Sequence, residues 1–140
     1  MKIAVIDAQG AGLGQAVIKK IRREIGEKAQ IIALGTNNAA TSNMIKAGAD
    51  EGFFGEKQIC SFLSKNAVDC IIGPIGIISS GGIQGEITPS ISKAIFNTDC
   101  TKYIIPLKLH GLYIPGTRNL EIKEIIEEIV CDIKNTLNKW

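Results

Sequence analysis

Residues 7–14 read DAQGAGLG, set between the apolar run IAVI (3–6) and QAVIKKIRREIG (15–26). Three glycines, Gly10, Gly12 and Gly14, fall at every second position between an expected strand and an expected helix. A parallel strand aims its C-terminal end at the next helix, whose free N–H groups and dipole attract an anion. A side chain at that turn would hold a phosphate off the backbone, so glycine is required wherever the two must touch. The alternative use of such glycines is close helix–strand packing. That explains Gly14 easily and Gly10 with Gly12 less well.

The pattern is not a strict GxGxxG, because Gln15 stands where the third glycine would fall. It lies closer to the GxxxGxG of short-chain dehydrogenases, with Ala8 in the first position, then Gly12, Leu13 and Gly14. Those enzymes also need a Tyr-x-x-x-Lys pair. Tyr103 is followed by Pro106 and Leu107, and Tyr113 by Gly116 and Thr117, so neither fits. Dinucleotide folds usually end the second strand in Asp or Glu for the ribose. Here Leu34, Gly35, Thr36 and Asn37 occupy that place, and Asp50 is the nearest acid. Thr36 and Asn37 are weaker ribose contacts or simply N-caps.

Outward from the turn, two periodicities alternate. Strands are expected at 2–7, 30–35, 50–55, 68–73, 102–107 and 112–116, and helices at 13–25, 37–49, 56–66, 87–97 and about 119–138. Thr88 and Pro89 form an N-cap and first-turn pair for the fourth helix. Ile122, Ile125, Ile126, Ile129, Val130, Ile133 and Leu137 make a wide docking stripe on the last. The rhythm predicts one domain over 1–140, α/β in class. It is a Rossmann-like doubly wound, mostly parallel sheet with helices on both faces. Six strands are expected, the last joined by so short a link, KLHG, that it reads as antiparallel or an edge hairpin.

In such sheets ligands bind outside the carboxyl ends of the strands, at the switch point. Gly73, Pro74, Ile75 and Gly76 follow the fourth strand and would wall that crevice. The loop SSGGIQGE (79–86) supplies Ser79, Ser80, Gln84 and Glu86 as polar groups. Glu86 reads either as an acid/base or as a carboxylate favouring the dipole of the helix it precedes. His110, the sole histidine, lies among apolar residues and reads as a packed ring. No Ser-His-Asp order, Walker sequence or metal-ligand cluster can be assembled.

Bulk properties bound the rest. The chain has 140 residues, 45% hydrophobic and 21% charged, with net charge +2, too small an excess to indicate nucleic acid or a membrane. No apolar run nears the roughly 20 residues of a membrane span, and MKIAVIDAQG lacks a signal-peptide core. A cytoplasmic location is therefore expected. Cys60, Cys70, Cys100 and Cys131 show no metal spacing. Cys70 and Cys131 read as buried, and Cys100 as the one in an exposed turn. Lys19, Lys20, Arg22 and Arg23 read as a solvated helix face.

Taken together, MKIAVIDAQGAGLG, IIALGTNNAATSNMIKAGADEG, IIGPIGII and GEITPSISKAI resemble a family of small bacterial proteins of unknown function, found mainly in anaerobic, spore-forming and related lineages. Members carry DGQGGGIG in the first turn, so Ala8 and Ala11 depart from it while Gly12 and Gly14 remain. The resemblance implies a Rossmann-like fold and transfers no activity. The reading is a small nucleotide-binding protein, with NAD or NADP the first ligand considered and other phosphate-bearing ligands next. Phosphate contacts are expected at Gly10, Gly12, Leu13 and Gly14, ribose contacts at Gly35, Thr36 and Asn37, and crevice contacts at Gly73–Gly76. The alternative is a sensing or scaffold module acting through a protein partner without catalysis. A homodimer is expected from the chain's small size.

Overall fold

The computed structural model describes residues 1–108 and 111–140. Among the described residues, five strands, β1 (Lys2–Asp7), β2 (Gln30–Gly35), β3 (Glu51–Phe54), β4 (Cys70–Pro74) and β5 (Thr101–Ile105), alternate with five α-helices. The helices are α1 (Gly12–Glu24), α2 (Asn38–Ala47), α3 (Glu56–Lys65), α4 (Pro89–Asn97) and α5 (Ile122–Leu137). The strand order is β3-β2-β1-β4-β5, and every pairing is parallel. The chain starts at the centre, winds outward through β2 and β3, then crosses to β4 on the other side of β1. The switch point therefore lies between the C-terminal ends of β1 and β4.

The central strands are buried on both faces, which is why their sequences are apolar runs rather than alternations. Successive side chains point to opposite faces. Ile3, Val5, Ile31, Ala33 and Ile72 pack in one layer with Val17, Ile18 and Ile21 of α1, Met44 of α2, and Ile126, Ile129 and Ile133 of α5. Ala4, Ile6, Ile32, Leu34 and Ile71 pack in the other with Ile59 and Phe62 of α3 and Ile91 and Ile95 of α4. Each fully buried aliphatic side chain contributes about 1.5–3 kcal/mol. The five apolar helix stripes thus hold the sheet as a doubly wound layer sandwich.

Caps follow the sequence signals. Asn37 accepts from Ala40 N at 2.8 Å to start α2. Thr88 caps α4 by accepting from Ile91 N at 3.3 Å, with Pro89 next. The sixth strand expected at 112–116 is corrected: no strand forms there. Pro106 has no N–H for a ladder, and β5 ends just before it at Ile105. Beyond, Thr117 donates to Ile114 O through both its amide (3.2 Å) and its hydroxyl (2.7 Å), turning the chain away from the sheet. Gly116 at φ 89° takes the left-handed region that this turn demands. β5 is consequently a parallel edge strand. His110 lies outside the described residues.

Two surface readings also change. Cys131 is exposed, because Ile129, Val130 and Ile133 occupy the inward face of α5 on either side of it. Cys100 is half-buried. Arg22 is not free in solvent: it donates to Gly48 O (2.8 Å), Ala29 O (2.6 Å) and Gly26 O (3.0 Å), and pairs with Asp50 at 2.6 Å. Asp50 also accepts from Ile31 N at 2.8 Å, at the amino end of β2 and far from the crevice. Burial opposes its charge, but those partners outweigh it and hold its pKa below the usual value.

Candidate phosphate-binding crevice

The turn after β1 is built without a conventional helix cap. Ala11 occupies the N-cap position of α1 and offers no side-chain acceptor. Asp7, the last residue of β1, does that work from below. Its carboxylate accepts from Ala8 N and from Gly14 N, both at 2.8 Å, and is 6% exposed. Burial is the largest influence on Asp7 and raises its pKa. The two amides oppose that, Glu86 reinforces it, and the net direction is upward. One of the helix's unpaired amides is therefore already neutralised by protein.

The remaining carbonyls and amides of the loop are held from several sides. Asn37 Nδ2 donates to Gln9 O at 3.1 Å. Asn43 Nδ2 and Gln15 Nε2 donate to Gly10 O at 3.0 and 3.1 Å. Gln9 N donates to Glu86 at 3.0 Å. Among the described residues, no acceptor meets the N–H of Gly10, Gly12 or Leu13. These three line a cavity of about 420 Å³ at the switch point. Its opposite wall is Pro74–Gly76 and Ser79–Ile83, and Leu107 and Leu112 close one side. One end thus offers bare backbone donors, the other aliphatic surface with two serine hydroxyls.

The glycines separate into two groups when the space around each is considered. A Cβ on Gly10 or Gly12 would meet nothing within 4 Å. Neither residue has a positive φ. The left-handed positions of this turn belong instead to Gln9 (φ 52°) and Ala11 (φ 56°). Conformational freedom therefore does not explain Gly10 and Gly12, and neither does packing. What they provide is open backbone. Gly14, Gly35 and Gly73 are instead packing glycines. A Cβ on Gly14 would lie 2.7 Å from Met44 Sδ, on Gly35 2.3 Å from Thr41 Oγ1, and on Gly73 2.6 Å from Ile6 O.

The sequence-derived set is thus partly assembled. Gly10, Gly12, Leu13, Pro74, Ile75 and Gly76 converge on the cavity. Gly14 donates to Asp7, Gly35 donates to Thr41 Oγ1, and Gly73 is buried in β4; none of the three lines the cavity. Thr36 and Asn37 turn to Glu86 instead, giving Oε1 hydrogen bonds of 2.6 and 3.1 Å. Burial works against the charge of Glu86, but the donors Thr36, Gln9 and Asn37 prevail and keep its carboxyl below the usual range. It is held as an anion, a poor proton donor near neutral pH. Sequence reading passed over Asp7, whose signal was a carboxylate closing an otherwise apolar strand. It also passed over Gln15 and Asn43, which carry no pattern. Among the described residues no three His, Cys, Asp or Glu side chains gather as a metal site requires, and no helix is long and apolar enough to cross a membrane.

Sheet order, switch-point cavity and glycine turn define an α/β protein of the Rossmann-like class. The chain belongs to the DUF3842 family, a domain of unknown function, whose model matches residues 2–138. No curated protein matches it in sequence. Among solved structures it is similar to a dodecameric FMN-dependent UbiX-like decarboxylase from Escherichia coli O157:H7. That likeness has a TM-score of 0.55 and 12% identity, over 99% of this chain and 94% of that one. A universal stress protein from Archaeoglobus fulgidus aligns with a TM-score of 0.40 and 15% identity, over 77% of this chain and 98% of that one.

Proposed function

We propose that this protein binds a phosphate-bearing, nucleotide-type ligand, with its phosphate on the amides of Gly10, Gly12 and Leu13. Its ring system would lie against Ile75, Ile83 and Leu107. The observation that carries this reading is the conjunction of three acceptor-free amides and two glycines facing open space at one end of a single cavity. Three backbone donors and a helix N-terminus suit a dianion. The aliphatic wall suits a flat ring. NAD, NADP and flavin mononucleotide, the cofactor named for the decarboxylase of similar fold, belong to this ligand class. Asp7 tempers the site, since its buried carboxylate already uses Gly14 N and adds negative charge beneath the phosphate.

The proposal is of binding, and the cavity assigns no reaction. Glu86, the acid/base candidate, is fully engaged at Oε1 by protein donors. A thermal-shift series with inorganic phosphate, flavin mononucleotide, NAD and NADP tests the reading. A ligand at 100 times its Kd adds about 2.7 kcal/mol to stability. At least one phosphate-bearing compound is expected to raise the Tm; if none does, the reading fails.

A further inference from the structure

We propose that Glu86 restricts this site to mononucleotides by closing the path that the second half of a dinucleotide would follow. The inference rests on the phosphate site proposed above and adds which nucleotides fit it. In a doubly wound fold a dinucleotide crosses the switch point. One half lies toward β4, the other over the end of β2, where a ribose meets the residues that follow that strand. Here the cavity lies on the β4 side, and all of its lining comes from residues 7–13, 74–76 and 79–83, Leu107 and Leu112. Nothing from the β2–α2 turn contributes to it.

The β2 side is closed by side chains. Glu86 ends the 79–86 loop and reaches the β1 turn through Gln9 N. A single oxygen, Oε1, accepts from Gln9 N of the β1 turn (3.0 Å) and from Thr36 Oγ1 (2.6 Å) and Asn37 Nδ2 (3.1 Å) of the β2 turn. Asn37 Nδ2 also reaches Gln9 O at 3.1 Å. The two turns are thus joined across the gap that a pyrophosphate and ribose would need. Thr36 and Asn37, the groups next to that ribose, have spent their side-chain donors. The carboxylate also sets a negative charge where a second phosphate would pass, and that repulsion is weakly screened at such short range.

Matched ligand pairs test this: flavin mononucleotide against FAD, and nicotinamide mononucleotide against NAD. Each pair differs only by the adenylate. Isothermal titration is run on the wild-type chain, Glu86→Gln and Glu86→Ala. In the wild type one mononucleotide is expected to bind at least about 30-fold more tightly than its dinucleotide. Glu86→Ala is expected to bring the dinucleotide to within about 5-fold of its partner, and Glu86→Gln to fall between. The mononucleotide's affinity, little changed across the three proteins, reports that the β1 turn is intact. Equal binding of both pair members by the wild type overturns the proposal. So does a dinucleotide weakened by Glu86→Ala, which would make Glu86 a ribose acceptor. If no mononucleotide binds the wild type, the phosphate site itself fails, a result distinct from either.

Discussion

Replacing Gly12 by alanine should separate the two uses of glycine in one experiment. A Cβ at Gly12 meets nothing within 4 Å, and its φ is not positive, so the fold tolerates the methyl. Gly12 is the first residue of α1. Alanine there narrows the unfolded ensemble and suits a helix, worth about 0.4–1 kcal/mol. For a domain of this size that is a Tm rise of about 2 °C. In the open space beside Gly12 the same methyl would intrude where the proposed phosphate sits. Losing or lengthening one charge-assisted hydrogen bond costs about 1.5–3 kcal/mol, or roughly tenfold or more in Kd. Gly14→Ala is the counterpart. Its methyl would lie 2.7 Å from Met44 Sδ and 3.2 Å from Asp7, so it should lower the Tm. Differential scanning calorimetry and titration with the best-binding phosphate compound read both effects. A Gly12→Ala protein that is destabilised, or that binds as the wild type does, would refute the reasoning.

Other outcomes follow from the same geometry. Gly35→Ala should cost about 2–3 kcal/mol in urea unfolding, since its methyl meets Thr41 Oγ1 at 2.3 Å and Thr41 N at 2.7 Å. Glu86 has a lowered folded pKa, so its stabilisation is present above the ordinary carboxylate range and is lost as pH falls through the folded value. Glu86→Gln should therefore be less stable than wild type by about 1 kcal/mol at pH 7, with the gap narrowing as pH falls through the folded value; a gap that widens in acid would contradict this. Burial pushes the Cys70 thiol up to about 12, while Cys131 is exposed. A thiol reagent followed by mass mapping should label Cys131 first and Cys70 only after unfolding.

Much of the fold was legible because its signals are local. Apolar runs such as Ile3–Ile6 and stripes such as Ile125–Ile133 state their burial directly, and Thr88–Pro89 states a helix start. The false sixth strand at 112–116 shows where locality ends. Tyr113 and Ile114 have strand propensity, but Pro106, Pro115 and the turn at Thr117 keep them from pairing with the free edge of β5. Cys131 was misread because its neighbours Ile129 and Val130 are apolar, while the helical angle of its own position sends it outward. At the site, glycine position pointed to packing more readily for Gly14 than for Gly10 and Gly12, yet Gly14 still counted as a phosphate contact. The difference lies in Met44 and Asp7, thirty residues ahead in one case and on the preceding strand in the other. The bond from Glu86 to Thr36 joins residues fifty positions apart, which no sequence pattern encodes.

A proton–nitrogen NMR titration of the wild-type chain with inorganic phosphate examines those bare amides one at a time. The Gly10, Gly12 and Leu13 resonances should move together and saturate, while Gly14, bound to Asp7, moves least. If the three stay still and only amides of the basic α1 face near Lys19 and Arg23 respond, there is no phosphate site in this turn.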